Sequence, residues 1–77
     1  MTIIDITQLK AGASGTVSSI HGGHGITNRL DSMGIRPGMK VMKMSAQFMR
    51  GPVIIKVGSA QVAIGYGMAK KVLVEVE

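Results

Sequence analysis

The chain contains no cysteine and no tryptophan, one phenylalanine, one tyrosine and four acidic residues among its 77. Each shortage excludes something. Without cysteine there is no structural disulfide, no Cys-type zinc site and no thiol nucleophile. In so small a domain that absence favours a reducing compartment over secretion, so a cytoplasmic location is expected. No apolar run exceeds three residues, as in Val53-Ile54-Ile55, whereas a membrane-spanning helix needs roughly 20. Met1-Thr2-Ile3-Ile4-Asp5 carries no basic segment followed by an apolar stretch, so neither a signal peptide nor direct membrane insertion is expected. The acids Asp5, Asp31, Glu75 and Glu77 are dispersed. Nothing in their spacing suggests a carboxylate pair, or a carboxylate–histidine pair, for acid–base chemistry. No enzymatic activity is expected.

What is present is a chain that is 45% hydrophobic, with a net charge of +5 and a pI near 10.1. This length makes one domain, residues 1–77, with a core of modest size. A basic balance suits nucleic acid, an anionic membrane face or an acidic protein. A basic small-barrel RNA-binding module is therefore the alternative functional reading. Against it, Phe48 and Tyr66 are the only aromatics, whereas single-strand binders rely on aromatic platforms for base stacking. No nucleic-acid partner is expected.

Glycine is the main punctuation, with 11 residues falling between short apolar runs, the pattern of many short strands joined by turns. Asp5 to Lys10 reads as an opening turn with Ile6 and Leu9 directed inward. Gly15 to Ile20 reads as the first strand, and His21-Gly22-Gly23-His24-Gly25 as a loop. Ile26, Leu30 and Met33 recur on one helical face, about two turns long. Gly34 follows as its C′ residue and Pro37 prevents continuation. Met39 to Met44 is a second strand, Ser45 to Gly51 a loop, and Pro52 opens a third strand. Gly58-Ser59 fits a two-residue type II′ turn. Gly65 to Lys70 reads as a tight 3₁₀-like corner, and Val72, Val74 and Val76 alternate on a last strand. The expected core is Val17, Ile20, Leu30, Val41, Val53, Ile55, Val57, Val62, Ile64 and Val74. Five short strands with one helix close most economically into a small, partly open β-barrel.

Two features invite chemistry. His21 and His24 lie three residues apart on a glycine hinge, a spacing that suits weak chelation of Fe²⁺ or Zn²⁺. Two ligands fall short of the three or four that a transition-metal site normally requires, so no firmly bound cofactor is expected. Met39, Met42 and Met44 cluster on one strand, with Met49 close behind. Methionine fills cores adaptably and also serves surfaces that accept peptides or helices.

From Arg29 to Val41 the chain reads Arg-Leu-Asp-Ser-Met-Gly-Ile-Arg-Pro-Gly-Met-Lys-Val. It continues through Gly51-Pro52-Val53, then Ala63-Ile64-Gly65-Tyr66-Gly67-Met68-Ala69, and ends on Val72-Leu73-Val74-Glu75. In order and spacing these segments resemble the FeoA family, small proteins of ferrous iron transport. The resemblance implies an SH3-like barrel. It also implies a cytoplasmic partner role toward the membrane ferrous iron permease FeoB, which carries a GTP-binding domain. Barrels of this kind tend to present ligands to loops on one side. The expected partner-binding residues are Phe48, Met49 and Arg50 in one loop, and Tyr66, Lys70 and Lys71 in another. Tyrosine, methionine and arginine are enriched in such interfaces.

Overall fold

Alternation of apolar residues builds the sheet. The computed structural model describes residues 1–45 and 49–77. Its strands are β1 (Thr2–Asp5), β2 (Ser14–Ile20), β3 (Lys40–Ser45), β4 (Val53–Val57), β5 (Ala60–Ile64) and β6 (Val72–Val76). A 3₁₀ turn covers Ile6–Gln8, and the helices are α1 (His24–Ser32) and α2 (Tyr66–Ala69). All strand pairings are antiparallel, in the order β1-β6-β2-β3-β4-β5. Val53, Ile55 and Val57 turn inward from β4, and Val72 and Val74 from β6. Val17, Leu30, Val41 and Ile64 complete the part of the core that alternation and helical spacing had assigned.

Among the described residues the sheet has six strands, where the sequence pattern suggests five. The additional one is β1, whose Thr2, Ile3, Ile4 and Asp5 pair with Val76, Glu75, Val74 and Leu73. Only the last strand of the chain makes it a strand. Its own side chains carry a weak signal, since Ile3 is 53% exposed. Asp5 caps the 3₁₀ turn that follows, accepting from the Thr7 N–H at 2.8 Å, while the Asp5 N–H donates to Gln8 Oε1 at 3.0 Å. These reciprocal bonds hold Ile6 and Leu9 in the core.

Helix α1 begins earlier than the glycine-rich loop suggested. Gly23 is its N-cap, so His24 and Gly25 are helical. At the other end, Gly34 adopts a φ of +86°. Its N–H donates to the Asp31 carbonyl at 2.9 Å, and the Ile35 N–H to the Leu30 carbonyl at 2.9 Å. This is a Schellman closure, which requires the left-handed conformation that glycine alone adopts freely. It delivers Ile35 into the core beside Leu30. The corner Tyr66–Ala69 is one α-helical turn rather than 3₁₀: the N–H groups of Ala69 and Lys70 donate to Gly65 and Tyr66, four residues back.

Ile20 and Val62 pack against the core but are half-buried. Ile35, Ala69 and Val72 are buried instead. Lys43 is buried too, 3% exposed on the inward face of β3 next to Val41. The β3 methionines are not core filling. Val41 sets the phase of the strand, so Met42 and Met44 point outward at 37% and 38% exposure.

Candidate partner-binding surface

Helix α2 is anchored by Ala69, which is fully buried, and by Met68, which packs half-buried against the core. With those residues turned inward, Tyr66 is left half-buried and Lys70 and Lys71 exposed. Opposite α2 lies the turn before β4. Met49 and Arg50 there have φ values of +51° and +60°, a left-handed conformation that costs an L-residue roughly 1–2 kcal/mol. The Arg50 guanidinium carbon lies 5.9 Å from the centre of the Tyr66 ring, and Lys70 Nζ 6.0 Å from it. Both sit at the outer reach of a cation–π interaction, each worth about 0.5–1 kcal/mol at an exposed site.

The two loops therefore meet, and Tyr66 is where they do. Arg50, Tyr66 and Lys70 form one cluster. Met49 flanks it at 83% exposure. Lys71 is exposed, and its backbone ties a third segment to the corner: its carbonyl accepts from the His21 N–H at 2.7 Å. Phe48 lies outside the described residues.

The histidines are both exposed, His21 in the connection before α1 and His24 at the first position of α1. Asp31, the carboxylate nearest to them in sequence, pairs with Arg36 at 2.9 Å. Among the described residues, no three of His, Cys, Asp and Glu come together in a way that could hold a metal ion. Two imidazoles are fewer donors than the three or four that a transition-metal site normally requires. Likewise, no helix among the described residues is long and apolar enough to cross a membrane.

Sequence reasoning missed the outer face of the sheet. A cleft of about 250 Å³ is lined there by Lys40, Val41, Met42, Lys56 and Gly58. Counting alternation from Val41 along β3 places Met42 and Lys40 on this face, so the signal was available. From Pro37 to Lys71 there is no carboxylate, while Lys40, Lys43, Arg50, Lys56, Lys70 and Lys71 all fall in that stretch. The charge of the chain is thus polarised toward β3, β4 and the segments that precede β4 and follow α2.

Comparison with known proteins first places the barrel by class, among SH3-like domains. The crystal structure of FeoA from Stenotrophomonas maltophilia with zinc, described as a prokaryotic SH3 domain protein, matches with a TM-score of 0.79. It is 25% identical, over 94% of this chain and 89% of that one. A crystal structure described as the iron uptake regulatory protein FeoA matches with a TM-score of 0.87 at 35% identity, covering 97% of each chain. A protein of Methanocaldococcus jannaschii described as Fe(2+) transport protein A is 42% identical over 66 residues, covering 86% of this chain and 78% of its own length. The family model described as FeoA domain matches residues 4–76. The chain belongs to the FeoA family, whose role is in ferrous iron transport.

Proposed function

We propose that this chain is a cytoplasmic, non-enzymatic accessory of ferrous iron transport that binds the membrane permease FeoB and modulates it by protein–protein contact. The observation that carries the reading is the approach of Arg50, from the turn before β4, to the Tyr66 ring on α2, which Lys70 of the same corner also edges. A half-buried tyrosine edged by cations offers apolar area together with donors for an acidic partner, a composition typical of interface anchors. The polarised charge speeds encounter with such a partner, and the tyrosine sets residence time. Family membership supports the transport context.

The test is a calorimetric titration of the chain against the cytoplasmic part of FeoB. Tyr66→Ala and Arg50→Glu, each first shown to be folded, are expected to weaken binding about fivefold or more. If both variants bind as the wild type does, this surface is the wrong one.

A further inference from the structure

Strand β5 ends the sheet. It pairs with β4 on one side, and no other described strand pairs with its second edge. The hairpin between the two closes on Gly58 and Ser59, with Val57 facing Ala60. Gly58 has a φ of +62° and Ser59 is not among the residues with positive φ, which is the type II′ pattern. In such a two-residue hairpin the closing pair exchanges both backbone bonds. Ala60, Val62 and Ile64 therefore bond to Val57, Ile55 and Val53. Gln61 and Ala63 turn their N–H and C=O groups to the free edge, and both residues are exposed.

This edge lacks the usual protections. Natural sheets blunt an open edge with charge, proline or a bulge. Ala60-Gln61-Val62-Ala63-Ile64 contains neither charge nor proline. The register shifts of the sheet lie in the β2–β6 and β3–β4 pairings, and the β4–β5 register runs without one. The surroundings are cationic: Lys56 stands opposite Gln61 near the hairpin end. Beyond Ile64 the chain runs into Tyr66, with Arg50 and Lys70 beside it.

We propose that the β5 edge accepts an extended, acidic segment of a protein partner as a seventh strand. The backbone groups of Gln61 and Ala63 bond to it, while Lys56 at one end and Arg50 with Lys70 at the other take its carboxylates. Unpaired N–H and C=O groups at alternate residues match an extended backbone, the mode of recognition by strand addition. The acid-free stretch from Pro37 to Lys71 selects the charge of that segment. It also disfavours a second copy of this chain, which would bring cations against cations. The proposal rests on the accessory reading only for the identity of the partner.

The experiment is amide hydrogen exchange by NMR on the whole chain, with two probes used separately. One is a blocked ten-residue peptide of alternating glutamate and valine, and the other is the cytoplasmic part of FeoB. At saturation with the peptide, exchange at Gln61 and Ala63 is expected to slow about fivefold or more, the worth of one net hydrogen bond. Ala63→Pro removes an outward donor without touching the β4 ladder and is expected to abolish that protection. If the proline variant does not fold, a synthetic chain N-methylated at the Ala63 amide serves the same purpose. Peptide that fails to bind, or that binds and protects other residues, overturns the proposal. So does protection of Gln61 and Ala63 that rises with the concentration of the chain alone, which would make the occupant a second copy. Peptide protection of these amides without any binding of the FeoB part upholds the edge and sinks the accessory reading. Binding of the FeoB part with no protection at the edge by either probe does the reverse.

Discussion

Lys43 donates from Nζ to the carbonyl of Leu9 at 2.8 Å, across 34 residues of sequence, and to the carbonyl of Thr7 at 3.1 Å. The main chain repeats the link, with the Gly12 N–H donating to the Lys43 carbonyl at 2.7 Å and the Lys43 N–H to the Ala13 carbonyl at 3.0 Å. A buried ammonium thus ties strand β3 to the 3₁₀ turn at the other end of the chain. Those carbonyls end a short turn and would otherwise lack partners, so the lysine does what a cap does. Burial lowers the pKa of Lys43 from 10.5, and the carboxylate of Asp5 partly opposes that shift.

Lys43→Met tests which effect wins. Methionine relieves the desolvation of a charge, but it leaves the buried Leu9 carbonyl and the part-buried Thr7 carbonyl short of a donor, at about 1–3 kcal/mol for an unsatisfied buried group. The variant is expected to be less stable by about that amount at pH 7. The pH dependence has a definite sign. A lysine whose folded pKa is depressed burdens the native state while protonated, and that burden lifts as pH climbs through the folded value toward 10.5. The stability gap between wild type and variant should therefore widen over that window. Denaturant titrations at pH 7 and at pH 10.5 measure it, and a constant or narrowing gap would show that Lys43 does not titrate as a buried donor.

Ile55 sits at the centre of β4, fully buried and paired with Lys43 and Val62 across its two neighbours. Ile55→Ala is expected to cost about 2–5 kcal/mol. Val62→Ala, at a half-buried site on the sheet edge, should cost distinctly less. Equal losses in chemical denaturation would mean that the core is not centred on β4.

Much of this was legible in the residues. Val53, Ile55 and Val57 alternate cleanly because nothing in β4 competes with the pleat, and Gly34 ends α1 because its left-handed backbone admits little else. The illegible parts were decided by contacts far apart in sequence or by conflicting rules. Strand β1 exists through its pairing with β6. Lys43 lay on the inward face by alternation, while its charge argued for the outside, and the carbonyls of Thr7 and Leu9 settled the conflict. His24 sat in a run of glycines that signals a loop, yet Gly23 serves as an N-cap and the helix starts there. Residue type alone marks the segments holding Arg50 and Tyr66, and their meeting is a property of the barrel.

Metal binding at His21 and His24 is expected to be weak, because two imidazoles are fewer donors than the three or four that a transition-metal site normally requires. Anaerobic calorimetry with Fe²⁺, and separately with Zn²⁺, checks this on the wild type and on a His21→Ala/His24→Ala variant. The variant should lose the heat of binding. Tight binding that survives both substitutions would place the site elsewhere in the chain.

Salt separates a protein partner from a nucleic acid. Each phosphate contact on a single strand releases counterions, so log K falls against log salt with a slope of about −0.7 per contact. A surface using the scattered cations Lys40, Lys56, Arg50, Lys70 and Lys71 on RNA would accumulate several such contacts and lose most of its affinity by physiological salt. It would also have little stacking to fall back on, since Tyr66 already has Arg50 and Lys70 near its ring. A docked protein segment held through the Tyr66 surface and backbone bonds releases fewer counterions, so its affinity declines more gently. The expectation is negligible binding of single-stranded RNA at physiological salt, together with FeoB binding that survives the same conditions. In that setting Arg50→Glu should slow association with FeoB, because it reverses a charge on the approach, whereas Tyr66→Ala should mainly hasten dissociation by removing the anchor. Surface plasmon resonance over a salt series reads both rates. Sub-micromolar RNA binding at physiological salt, lost in Arg50→Glu, would make this barrel an RNA module and overturn the accessory reading.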